Sequence, residues 1–155
     1  LGDLRTLSTP EESQAMNAPG FPCVLISASG MATGGRVLHH LRHQLPDPRN
    51  TVLLVGYQAY GTRGRSLLEG ARTLKLFGQY VPVRAEVVNA QGFSVHADAD
   101  ETLQWLGAMS SPPGVCFVNH GEAHASATLC ERITDELGWP AVVPRQGERV
   151  VVRPV

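Results

Sequence analysis

Several things are scarce in this 155-residue chain, and each scarcity removes a class of protein. Charged residues make up only 17% and the formal net charge is −1, so no bulk basic field marks it for nucleic acid. Apolar runs never approach the ~18–20 residues that a membrane-spanning helix needs, which removes a helical membrane protein. Cysteine is limited to Cys23, Cys116 and Cys130, an odd set with no CxxC pair. Such thiols predict buried, reduced residues in a cytoplasmic protein rather than a disulfide framework. Lysine is scarcer still: Lys75 stands alone against twelve arginines. Arginine suits bidentate phosphate contacts, although biased codon usage gives the same ratio. The opening has no basic-then-apolar leader and begins at Leu1 rather than Met, so the expectation is a piece of a longer protein.

What is present suits a globular α/β chain. Hydrophobic residues reach 43%, enough for one ordinary domain or two small halves of larger ones. Thr9 as cap, Pro10 at the first position and Glu11 and Glu12 behind it predict a short helix at about 10–18. "CVLISAS" (23–29) reads as a strand, and Val37, Leu38, Leu41 and Leu45 fall on one helical face before Pro46 and Pro48. "TVLLVGY" (51–57), "VPVRAEVVNA" (81–90), "GVCFVNH" (114–120), "PAVVP" and "ERVVVRPV" read as further strands. Helices are predicted at 99–109 and 125–138. The alternation argues for layers around a largely parallel sheet, whose carboxyl-end loops are the usual ligand positions.

Four such loops carry chemistry: Ser29-Gly30, Gly56-Tyr57, Ser94 to His96, and Asn119-His120. In "SASGMATGGR" (27–36), a strand entering a Gly-rich turn and then a helix is an anion cradle or simply a tight connection. Ser27, Ser29 and Thr33 offer hydroxyls there. Gly30 and Gly35 have the glycine spacing of a nucleotide-triphosphate loop, but Arg36 and Val37 replace its Lys and Ser/Thr. "GYQAYGTRGRSLLEG" (56–70) presents Arg63 and Arg65 either to phosphates or to solvent. His96 and His120 each leave an apolar run beside a carboxylate, Asp98 and Glu122 respectively. A strand-end histidine oriented by a carboxylate fits a metal ligand, but one histidine is too few for catalytic zinc, which takes about three protein ligands. His39 and His43 share a helix face without the glutamate of an HExxH site.

Taken in order, "SASGM", "GYQAYGTRGRSLLEG", "VPVRAEV", "GFSVHAD" and "VNHGE" resemble the carboxyl-terminal half of the β-CASP metallo-β-lactamase family of RNA-processing nucleases. The resemblance covers residues 20–152. It implies a truncated part of a metallo-β-lactamase αβ/βα sandwich together with the end of an inserted β-CASP α/β domain. Residues 1–75 would finish the inserted domain, and 76–155 would return to the sandwich. His120 then matches a ligand of the second of two zinc ions, with manganese as an alternative metal. His96 matches a proposed general acid toward the leaving oxygen, with Asp98 and Glu122 as supporting carboxylates. Ser27, Ser29, Gly30 and Met31 would line the phosphate side of a cleft for single-stranded RNA, together with Ser94, Arg63 and Arg65. Tyr60 stands where the family commonly has glutamate.

The family's HxHxDH zinc motif has no match in the chain. The resemblance therefore implies a fragment of a zinc-dependent ribonuclease that neither holds the dinuclear centre nor cleaves RNA by itself. An RNA-binding scaffold without catalysis and a nucleotide-binding α/β module are the competing readings. A half-sandwich also leaves apolar surface uncovered, which predicts self-association.

Overall fold

The computed structural model describes residues 3–93 and 96–151. Its contacts divide the chain into two compact units, Leu1–Ser94 and Val95–Val155. Helices and strands intermix in both, giving the α/β class that the alternating pattern predicts.

The first unit opens with helix α1 (Pro10–Ala15), started by the Thr9–Glu12 capping box. Helix α2 (Val37–Gln44) carries two stripes. Leu38 and Leu41, continued by Leu45, enter the core. Arg36, His40 and Gln44, four residues apart, clasp the amino-terminal segment. Arg36 donates to the carbonyls of Leu7 (2.7 Å) and Ser8 (3.1 Å). His40 Nε2 meets Ser13 Oγ at 3.1 Å, and Gln44 Nε2 donates to Asn17 O at 2.9 Å. Burial pushes the His40 imidazole below its ordinary pKa, and the neighbouring His39, His43 and Arg36 push the same way.

Strand β1 (Thr51–Leu54) pairs in parallel with β4 (Glu86–Asn89), Thr51 opposite Glu86. Helix α3 (Arg63–Leu68) lies between them in sequence, followed by the antiparallel hairpin of β2 (Thr73–Leu76) and β3 (Gln79–Pro82). The hairpin turns through Phe77 (φ +48°) and Gly78 (φ +79°), the two positive angles that match strand twist. The Phe77 ring packs on His39 with centroids 4.5 Å apart. Leu45, Leu67, Leu74, Leu76, Val81 and Ala85 close the core with α2.

The second unit places α4 (Ala99–Gly107) and α5 (Ala123–Leu137) against the short parallel pair β5 (Cys116–Phe117) and β6 (Ala141–Val142). Leu103, Val118, Ile133 and Trp139 form its core. Arg132 joins the helices by pairing with Asp100 (2.8 Å) and Glu136 (2.6 Å). Among the described residues no helix is long and apolar enough to cross a membrane.

Four expectations of structure need correction. Residues 22–27 are not a strand: no neighbouring strand pairs with them among the described residues, and Val24 and Ile26 are 87% and 90% exposed. An apolar run supplies the propensity for a strand, but not the partner that makes one. The 81–90 run breaks into β3 and β4, because the N–H groups of Arg84 and Ala85 both donate to Leu45 O beyond the end of α2 (2.8 and 3.0 Å). Finally, residues 148–151 form no strand, and the described strands make three two-stranded sheets rather than one parallel sheet.

Candidate functional site

The extended segment 22–27 carries exposed Ser27 into a turn that leaves ordinary backbone geometry at two non-glycine residues, Ser29 (φ +65°) and Ala32 (φ +53°). Left-handed backbone at such residues costs about 1–3 kcal/mol each and persists only where surroundings impose it. Within the turn, Ala32 N–H donates to Ser29 O at 2.8 Å. Ser29 Oγ accepts from Gly34 N–H at 3.2 Å and pairs with Thr33 Oγ1 at 3.1 Å.

The imposition comes from residues 58–64. Gln58 Nε2 donates to Gly30 O at 3.1 Å, and Gly64 N–H donates to Met31 O at 2.9 Å. Arg63 Nη1 reaches the carbonyls of Ala32 and Thr33, each at 3.4 Å, while its Nε donates to Lys75 O at 2.9 Å. Four successive carbonyls, 30 to 33, are thus drawn toward one wall. In a trans peptide the N–H points opposite to the C=O. The amides of Met31 and Thr33 therefore turn away from that wall, while those of Ala32 and Gly34 are held by Ser29 O and Ser29 Oγ inside the turn.

Arg63 and Arg65 are placed differently from one another. Arg63 braces the turn from behind through main-chain carbonyls. Arg65 is one-third exposed on α3, and its Nε pairs with Glu69 at 2.6 Å. Gly30 is exposed and Met31 half-buried. A shallow groove of about 460 Å³ beside the wall is lined by Thr33, Thr62, Arg63, Ser66 and Lys75, among others. Lys75 Nζ stands 5.7 Å from the Tyr80 ring centroid.

The histidine region belongs to the second unit. Cys116 N–H donates to Pro140 O (2.8 Å) and Val118 N–H to Val142 O (2.9 Å), which aims the chain out at Asn119. His120 follows with φ +67°, its N–H held by Asn119 Oδ1 at 2.8 Å, and its side chain is exposed. Gly121 packs closely on α5, where a Cβ would lie 2.5 Å from Ser126 Oγ. Glu122 occupies the N-cap position of α5, its carbonyl accepting from Ser126 N–H at 2.8 Å. His96 is exposed just before α4. Asp98 caps that helix: its Oδ1 accepts from Glu101 N–H at 2.9 Å, and Glu101 returns the bond at 3.0 Å. Ser94 lies outside the described residues.

Among the described residues no three His, Cys, Asp or Glu gather to hold a metal ion. The exposed imidazole of His120 is chemically a good zinc donor, but by itself it is one ligand of a set. Sequence reasoning missed Gln58 and Gly64, which build the wall together with Arg63. Their only signal was position within the glycine-rich run, at one of which a side chain cannot fit.

The Beta-Casp domain model matches residues 1–67. The model for a Zn-dependent metallo-hydrolase RNA specificity domain matches residues 80–144. The chain belongs to the β-CASP metallo-β-lactamase family. Among its relatives, a protein named Ribonuclease TTHA0252 of Thermus thermophilus is 45% identical over 149 residues, 96% of this chain and 33% of that protein. An RNase J-like protein of Methanocaldococcus jannaschii is 39% identical over 126 residues, 81% of this chain and 29% of that protein. Transcription termination factor FttA of Thermococcus kodakarensis is 32% identical over 145 residues, 90% of this chain and 22% of that protein. The chain thus spans a third or less of the length of these β-CASP relatives.

Proposed function

We propose that the chain supplies the phosphate-holding turn and one metal ligand of a zinc-dependent ribonuclease. The observation that carries this reading is the Ser29–Gly34 turn, whose carbonyls 30 to 33 are tied back so that the Met31 and Thr33 amides face away from the wall. Similarity to proteins named as ribonucleases supports RNA as the polymer. The contacts on offer are to phosphate and not to base edges, so binding carries little sequence preference.

In this reading the Met31 and Thr33 amides and the Ser27 and Ser29 hydroxyls hold a phosphoryl group of single-stranded RNA, Ser29 donating outward when Thr33 Oγ1 donates to it, and Arg65 tracks the strand. Ser94 belongs to the same set by sequence. His120 gives its imidazole to one zinc, manganese being the alternative metal. Bound zinc would lower the pKa of water and offset phosphoryl charge. His96 protonates the departing oxygen, Asp98 fixing the start of α4 behind it. Without the remaining metal ligands, the 155 residues hold no dinuclear centre and are inactive alone. Residues 1–75 are assigned to the β-CASP domain and 76–155 to the returning part of a metallo-β-lactamase sandwich in a cytoplasmic enzyme. Exposed Val24, Ile26, Leu53 and Val55 support self-association when the chain is isolated, which light scattering across concentrations would reveal.

A role in ending transcripts is the second reading, supported by the similarity to proteins named FttA. The two are separated by incubating the full-length protein with a free oligoribonucleotide. Metal-dependent cleavage that His96→Ala slows supports the ribonuclease. RNA binding with no cleavage in any divalent metal overturns it.

A further inference from the structure

We propose that Gln58 is the positioning residue of the Ser29–Gly34 turn, one buried amide that locks two loops into the arrangement that a phosphate meets. The inference rests on the phosphate reading of the turn and adds what sets its shape.

Gln58 is 3% exposed. Its Nε2 donates both ways, to Gly30 O at 3.1 Å and to Gly56 O at 2.9 Å. The Gly30 loop and the Gly56 loop each follow an apolar run, and a single –NH₂ group ties them together. The other end of the amide is unusual. Oε1 is buried with no hydrogen-bond partner. It sits where the α-hydrogen of Gly64 points, since a Cβ built on Gly64 would lie 1.7 Å from it. The same Cβ would come within 3.1 Å of the Met31 main chain. Glycine at 64 is therefore what allows α3 to start against both Gln58 and Met31.

An orphaned buried acceptor is destabilising, and an apolar side chain of similar volume would remove it. The two donated bonds are what an apolar side chain would lose. Flipping the amide is no remedy, because it would set Oε1 against two carbonyl oxygens. With Ser29 and Ala32 both in left-handed backbone, the turn needs outside restraint, and Gln58 supplies the part directed at Gly30.

The test uses the full-length protein carrying Gln58→Glu, which keeps the shape but presents oxygen to both carbonyls. Gly64→Ala displaces the amide without removing it, and Gln58→Met serves if the first variant does not fold. Amide hydrogen exchange is read at Ala32 and Gly34, with Leu45 in the core of the same unit as control for its unfolding. Binding of a short single-stranded oligoribonucleotide is measured in chelator, where cleavage is absent. Losing two buried hydrogen bonds predicts exchange at Ala32 and Gly34 faster by about ten-fold or more, and weaker oligonucleotide binding by a similar factor. Exchange at Leu45 stays the same. Unchanged exchange at Ala32 and Gly34 in both Gln58→Glu and Gly64→Ala overturns the proposal. Faster exchange with unaltered oligonucleotide affinity upholds the positioning role and removes the phosphate role of the turn.

Discussion

The turn at Ser29 and the turn at His120 start from the same device and end differently. Each puts a non-glycine residue in left-handed backbone, with φ of +65° and +67°, after an apolar run. Around Ser29, four consecutive carbonyls are tied by Gln58, Arg63 and Gly64, and the Ser29 hydroxyl is bonded inside the turn. Around His120, the Asn119 side chain holds the main-chain N–H, Gly121 fits against Ser126, and the imidazole is exposed. The difference teaches how the two sites obtain their precision. The first turn is shaped by the polypeptide before any ligand arrives. The second leaves the imidazole at the surface, as the proposed metal-ligand role requires.

The sharpest way to break this comparison is to crowd both glycines. Gly64→Ala drives a methyl into the clamped Gln58 amide and is expected to cost about 3 kcal/mol, read from urea unfolding midpoints. Gly121→Ala meets only the Ser126 hydroxyl group, which can rotate, and is expected to cost about 1 kcal/mol. Equal costs would mean that the first turn is no more tightly built than the second.

Glycine at the strained residues themselves gives a smaller effect that differs between the two turns. His120→Gly relieves the left-handed backbone and loses no side-chain hydrogen bond among the described residues, so metal-free protein gains about 0.5–1 kcal/mol. Ser29→Gly relieves the same strain but forfeits the bonds to Gly34 N–H and Thr33, so its stability falls or stays level. Thermal melts of the two variants in chelator decide this, and stabilisation of both would remove the distinction.

The smallest expected effect concerns the clasp on α2. His40 has a folded-state pKa below its unfolded value. Its contribution is therefore fully present above the unfolded value of about 6.5 and declines as pH falls through the lowered folded value. The groups that act on it are Ser13 on α1, and Arg36, His39 and His43 on its own helix. Stability measured from about pH 7 to pH 5 should fall more in the unaltered protein than in His40→Gln. Identical slopes would show that another group carries the acid response.

Much of this comparison was legible in the residues, for identifiable reasons. Thr9, Pro10 and Glu12 marked the start of α1, and the Leu38, Leu41 and Leu45 spacing marked α2, because caps and helical periodicity are local properties. Gly138 marked the end of α5 and adopts φ +69°. The strand over 23–29 was misread because pairing depends on a neighbour, which no local pattern encodes. Arg63 illustrates the same limit at the site. A guanidinium in a glycine-rich loop reads alike whether it faces phosphate or braces a carbonyl, and only the position of Ala32 and Thr33 separates the two. Asp98 was read through its nearness to His96, while the Glu101 three residues later was the signal that it caps α4. Gln58 and Gly64 stayed hidden because their partnership is a contact between loops.

The central claim is that His120 faces a metal and His96 faces the leaving group. The most direct measurement is the zinc content of the full-length protein, unaltered and as His120→Ala and His96→Ala, alongside its RNA cleavage rate. The account predicts that His120→Ala loses zinc, while His96→Ala keeps its zinc and cleaves more slowly. Equal zinc in both variants would contradict it.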